Sequence, residues 1–138
     1  MALQKHIISE NGIIMGYHRI DHFETLDNSI ILYVKSYADK SYRDKEVKIT
    51  ENCKLANDLR SKISEEMAKE GTNSYDKEMI RTLTDQANEL GFPCMTDLSI
   101  LTRKFEYSLD RNQEFSFKTF YMLLKSEELF KDSEDVIE

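Results

Sequence analysis

The side chains that could do chemistry are few, so their spacing can be judged directly. "GYHRIDHF", residues 16–23, places His18 and His22 four apart with Arg19 and Asp21 between them, and His6 is the remaining histidine. On a helix, two histidines at this spacing face one zinc ion, as in HExxH. On a strand they also share a face, but four residues span about 13 Å, too far for one tetrahedral metal. No second HxxxH follows, and Arg19 brings a positive charge into the middle of the pair. Cys53 and Cys94 are isolated, with no CxxC, and read as reduced thiols without a signature of activation. Gly12 and Gly16 form no phosphate-binding loop, because neither opens a helix followed by lysine and a hydroxyl. The 26 acidic residues scatter over charged faces, where chance pairs are unavoidable. The expectation is a protein that is not an enzyme and uses no metal or cofactor, with His18 and His22 as surface or half-buried strand residues.

The elements that carry these residues follow from periodicity. "QKHIIS", then Asn11-Gly12, then "IIMGYHRIDHFETL" reads as a β-hairpin in which both turn residues take positive φ. "DNS" separates a third strand, "IILYVKSYADKSY", in which Ile30, Leu32 and Val34 alternate with Ile31, Tyr33 and Lys35. Both faces of this meander are partly apolar, so each should meet something. Near residue 50 the period changes. Ala56, Leu59, Ile63 and Met67 recur at helical spacing behind an N-cap at Thr50, and Gly71 is placed to end that helix. A second helix follows with Ile80, Leu83, Ala87 and Leu90, stopped by Gly91 and Pro93. "LSILTRKFEYSL" gives a fourth strand with Leu101, Arg103, Phe105 and Tyr107 on one face, "DRNQ" turns, and Phe117, Phe120, Tyr121 and Leu124 mark a final helix. The predicted fold class is α+β. A three- to four-stranded antiparallel meander carries an inserted helical hairpin (50–93) and a C-terminal helix, in a single domain over 1–138 whose base is 1–49 and 97–138.

Charge and length narrow the partners. A formal net charge of −7 argues against a groove that neutralises nucleic-acid phosphates. No apolar run reaches the roughly 20 residues of a membrane span, and the N-terminal residues lack a signal-peptide core. Six carboxylates and one lysine crowd into residues 126–138, leaving the rest near neutral. Within that acidic tail Val136 and Ile137 form an apolar pair. The tail is expected to be irregular in an isolated subunit and to order against a neighbour, the alternative being a frayed terminus. Val136 and Ile137 would be the anchors there, with Glu134 and Asp135 meeting basic groups.

Two separated stretches resemble a group of small tail- or baseplate-region structural proteins of phages and prophages of Gram-positive bacteria. Tyr17, His18, Arg19 and Ile20 match its "YHRI"-like first element, and Tyr37 and Arg43 match a strand ending "SY…R". Tyr121, Leu124, Lys125, Phe130, Asp135 and Val136 match its closing helix and tail. The helical hairpin departs from the group, which has a short connection there. The resemblance implies a non-enzymatic virion component, made in the bacterial cytoplasm, that contacts its own copies and other virion proteins; charge and hydropathy, as above, predict no nucleic-acid and no membrane partner. The alternative expectation is a soluble cytoplasmic binding module, a regulator or chaperone using its acidic helices and tail.

Overall fold

The computed structural model describes residues 1–91, 97–109 and 115–138. The Pro93 stop, Cys94 and the "DRNQ" turn lie outside these. The class is α+β, as the periodicity predicts. Strands β1 (Ala2–Ile8), β2 (Ile14–Leu26), β3 (Ser29–Tyr37) and β4 (Leu101–Ser108) are joined by β5 (Glu134–Val136) in one antiparallel sheet of order β4-β3-β2-β1-β5. Helices α1 (Lys40–Met67) and α2 (Lys77–Leu90) lie between β3 and β4 in sequence, and α3 (Phe117–Lys125) follows β4. The chain divides into two compact units, 1–43 with 98–138 and 44–97.

In the first unit the alternation along β3 decides which face is buried. Ile30, Leu32 and Val34 point to the side covered by Phe120, Tyr121 and Leu124 of α3 and by Phe130. Leu3, Ile7, Met15 and Ile20 complete this core, and Leu101, Phe105 and Tyr107 of β4 pack against it. Ser116 caps α3 by accepting the Thr119 N–H at 3.3 Å. The opposite parity gives a smaller second cluster of Ala2, Tyr17 and Tyr37 with Val136 beside it. Both faces of the meander are thus covered near its β1 side.

The β1–β2 connection differs from the expected two-residue turn. The Ser9 N–H donates to the Ile13 carbonyl and the Gly12 N–H to the Ser9 carbonyl, both at 2.9 Å. Gly12 alone takes positive φ (78°), and Asn11 does not. This is the longer hairpin in which one left-handed residue closes a tight turn. At Gly16 the reason for glycine is proximity: an added Cβ would lie 2.9 Å from the Ala38 carbonyl oxygen, which also accepts the Gly16 N–H.

Helix α1, whose first turn belongs to the first unit, starts ten residues before the expected Thr50. Asp39 provides the stop to β3 and the start to α1, its carboxylate accepting the Ser41 N–H at 2.7 Å. Thr50 is therefore an interior helix residue, and its hydroxyl donates to the Glu46 carbonyl at 2.9 Å. The longer α1 moves the sheet–helix boundary from residue 49 back to about Tyr37. Asp76 caps α2 by accepting the Glu78 and Met79 N–H groups, and Gly91 (φ 76°) ends it. The expected stripe is only partly covered. Ala56 and Ala87 are buried and Leu59, Ile63, Leu83 and Leu90 are half-buried, whereas Met67 is exposed.

Candidate functional site

Two β-bulges determine where the histidines point. The β2–β3 register runs His18↔Ser36, Ile20↔Val34, then His22↔Tyr33, so Asp21 is an extra residue. A one-residue insertion reverses every side chain beyond it. His18 therefore points to the core face with Ser36 and Val34, and His22 to the other face with Tyr33. The expectation that the two histidines share a face is corrected by this bulge, which removes any common metal site more firmly than spacing does. Among the described residues no three His, Cys, Asp or Glu side chains come together as a metal site.

His18 is fully buried, not at the surface or half-buried as the alternation suggested. The second bulge, between Gln4 and Ile7 on β1, frees the Lys5 carbonyl from the ladder. His18 Nε2–H donates to that carbonyl at 2.8 Å, which leaves Nδ1 to accept the Ser36 hydroxyl, also at 2.8 Å. Burial, with the nearby Arg103 and Lys5 charges, outweighs the Lys5 hydrogen bond and pushes the imidazole below its ordinary pKa. A serine hydrogen-bonded to a histidine is the core of a nucleophilic dyad. Here both residues have zero exposure, and the second ring nitrogen is committed to the backbone. The pair ties β1, β2 and β3 together with every polar atom satisfied. Ser36 carried no signal in the sequence; only the register brings it to His18.

His22 lies on the exposed face, stacked on Tyr33 with ring centroids 4.2 Å apart. Its Nδ1–H donates to Asp21 at 2.8 Å, and Lys35 lies 3.4 Å from the same carboxylate. Burial works to raise the Asp21 pKa, but the His22 hydrogen bond and Lys35 outweigh it and hold the carboxyl below the usual range. Bulge, stack and ion pair together form a local brace.

The C-terminal residues give a different result from the one expected. The tail is ordered within its own chain. Ala2↔Val136, Leu3↔Asp135 and Gln4↔Glu134 pair β5 to the free edge of β1. Val136 packs beside Ala2, Tyr17 and Tyr37, and Asp135 meets Lys125 of α3 at 2.8 Å. Ile137 takes no part in this packing and is 88% exposed. Beyond it, Glu138 accepts a hydrogen bond from the Tyr17 hydroxyl and lies 3.6 Å from Arg19 and 3.4 Å from the Met1 amine. Burial works to raise the Glu138 pKa, but Tyr17, Arg19 and the Met1 amine outweigh it and hold the carboxylate ionised. Burial and the same carboxylate push the Tyr17 phenol up. The sequence hid this strand because three residues flanked by charges carry no periodic signal.

The two ends of the chain converge on β2. The β1–β2 ladder reaches only Leu3↔His18, and beyond it Tyr121 of α3 accepts the Ile20 N–H at 2.9 Å. Burial, the largest influence on this phenol, pushes its pKa up to about 12. Phe130 sits edge-on to His18 (5.3 Å) and to Phe105 (5.5 Å). Tyr17 meets Tyr37 edge-on at 6.0 Å. Apart from Arg43, the residues that carry the sequence resemblance thus lie in or directly against one neighbourhood.

Among the described residues of the same unit two apolar patches remain. Ile8 and Ile14, paired across the hairpin, are exposed together with Ile13. Phe23, Phe115 and Phe117 are exposed around the buried Phe120, with centroids 5.1–6.1 Å apart. In the helical unit, Leu55, Leu59 and Leu90 line an open groove of about 520 Å³ rimmed by Asp58, Lys62, Gln86 and Glu89.

These features define a class: an α+β protein with a five-stranded antiparallel sheet, a helical hairpin inserted between β3 and β4, and a C-terminal strand closing one sheet edge. No model of a protein family, no curated protein and no solved structure matches the chain. Among the described residues no helix is long and apolar enough to cross a membrane.

Proposed function

We propose that this protein is a non-enzymatic structural component of a phage or phage-like particle, in the tail or baseplate region, working through repeated contacts with its own copies and with other virion proteins. The observation that carries the reading is the convergence on β2. The first and third elements of the resemblance are about a hundred residues apart in sequence, yet Ile20 meets Tyr121 and His18 meets Phe130. Motifs that share one packing neighbourhood have a common structural reason to occur together, and that reason is a scaffold rather than a reaction centre. The exposed isoleucine and phenylalanine patches add support, because monomeric soluble proteins rarely leave such groups contiguous. Ring symmetry would multiply modest contacts at these patches into a durable assembly.

The alternative, a regulator or chaperone that offers its acidic tail to a basic partner, has less behind it. Asp135 and Glu138 already face Lys125 and Arg19 of the same chain.

Particles induced from a bacterium carrying the gene and purified on a density gradient provide the test. The expected result is this protein at several copies per particle by quantitative mass spectrometry. Its presence in the lysate but absence from intact particles would overturn the reading.

A further inference from the structure

We propose that the C-terminal strand is exchangeable: the β1 edge of one copy accepts Glu134–Glu138 of a second copy in the place its own tail occupies. The occupant is settled by chemistry already seated on that edge. Val136 fits opposite Ala2, and Glu138 fits the positive charge of Arg19 and the Tyr17 hydroxyl. A second copy offers the same groups in the same order, so the contacts within one chain and between chains are identical. What differs is the connection.

That connection is the turn 131–133, and the closed form loads it. Asp132 has φ 61°, and it is the single non-glycine residue with positive φ among those described. Such a conformation is unfavourable for a side chain with a Cβ. Next to it the Ser133 hydroxyl is buried without a hydrogen-bond partner among the described residues. A buried hydroxyl left unpaired is a cost that water or a new partner would remove. An extended hinge relieves both. Phe130, fully buried just before the turn, fixes where the mobile arm begins. Strained, short hinges are where identical elements exchange between copies. Because the contacts are the same in both forms, protein concentration and hinge strain determine the balance.

The inference stands on the strand pairing and the hinge and not on the proposed function, so it can fail in a protein that still joins particles, and the particle assay reads the other question. The test uses the full chain with Cys53→Ser and Cys94→Ser. In the double variant Ala2→Cys/Val136→Cys, oxidation of dilute protein should give an intrachain disulfide, which verifies the pairing; if none forms, the edge is not occupied as described and the proposal falls. Next, separately tagged Ala2→Cys and Val136→Cys chains are refolded together and oxidised. The expected result is a hetero-disulfide joining residues 2 and 136 of different chains, in a fraction that rises with concentration. Asp132→Gly, which accepts positive φ freely, should lower that fraction, and Asp132→Pro, which cannot adopt it, should raise it. Absence of the hetero-disulfide at every concentration would overturn the exchange and reserve the edge for the chain's own tail. A fraction that ignores both Asp132 variants would overturn the role of the hinge.

Discussion

The sheet unit and the helical unit are held together by different means. The sheet unit buries a continuous core of large side chains, among them Leu3, Ile20, Leu32, Leu124 and Phe130, from four strands, α3 and the turn before β5. At its centre His18 is paired with Ser36 and the Lys5 carbonyl. The helical unit buries alanines at its stripe and leaves its leucines half-covered beside an open groove. It depends more on local terms: the Asp76 cap, side chain–backbone bonds within one helix such as Thr84 to the Ile80 carbonyl, and the Lys69–Glu66 pair. Tertiary burial fixes one region, and helix propensity with capping fixes much of the other.

The largest effect that could break this comparison is removal of the helical unit. The Ile100 N–H donates to the Ser36 carbonyl at 2.8 Å, so the end of β3 and the start of β4 are already adjacent. A short Gly/Ser linker in place of residues 44–97 should close that gap at little entropic cost. The circular dichroism spectrum is expected to lose most of its helical signal and keep a cooperative β transition. A spectrum of unfolded chain would mean that the sheet needs the helices.

Next in size are truncations within each core. Phe130→Ala removes a fully buried ring from between His18 and Phe105 and should cost about 3–5 kcal/mol in urea denaturation. Leu59→Ala removes a half-buried side chain and should cost only about 1 kcal/mol. Equal losses would mean that the groove beside Leu59 is covered in solution.

A third test uses protons. Burial holds the His18 pKa below its ordinary value in the folded protein. The unfolded chain therefore binds a proton as pH falls through about 6.5, and the folded protein resists it. Stability contributed by neutral His18 is complete above that pH and declines below it, by at most about 1.4 kcal/mol per pH unit. The urea midpoint should fall between pH 7.5 and 5.5 in the natural protein and fall less steeply in His18→Gln. An unchanged slope in the variant would mean that His18 is not the proton acceptor.

Legibility in the sequence follows the same division. The strands and helices announced themselves where a period of two or 3.6 runs for many residues, as in β3, β4 and α2. What stayed hidden was non-periodic. The Asp21 bulge reverses a face without altering composition, and Asp39 had to compete with a strand pattern that still looked extended through Tyr42. β5 is three residues long and pairs with the other end of the chain. Its selection depends on Tyr17, Arg19 and Lys125, contacts that no local window contains. The buried His18–Ser36 pair was illegible for the same reason, since two residues 18 apart become neighbours only through register.

The smallest effect sharpens the comparison most, because it asks whether the two regions unfold together. Asp76 accepts two backbone N–H groups at the start of α2, and Asp76→Ala should cost about 1 kcal/mol. A 14-residue helix in which Ala87 is the one buried residue is marginal without such a cap. The loss should therefore appear locally, as faster amide hydrogen exchange across 77–90 with the strand amides unchanged. Ser116→Ala removes one cap bond from α3, a helix pinned by buried Phe120, Tyr121 and Leu124. Its cost should be shared by the whole sheet unit, because α3 cannot open without exposing the core. If Asp76→Ala instead accelerates exchange in β2 and β3 as much as in α2, the helices and the sheet form one cooperative unit. The difference in their means of stabilisation would then have no consequence for how they open.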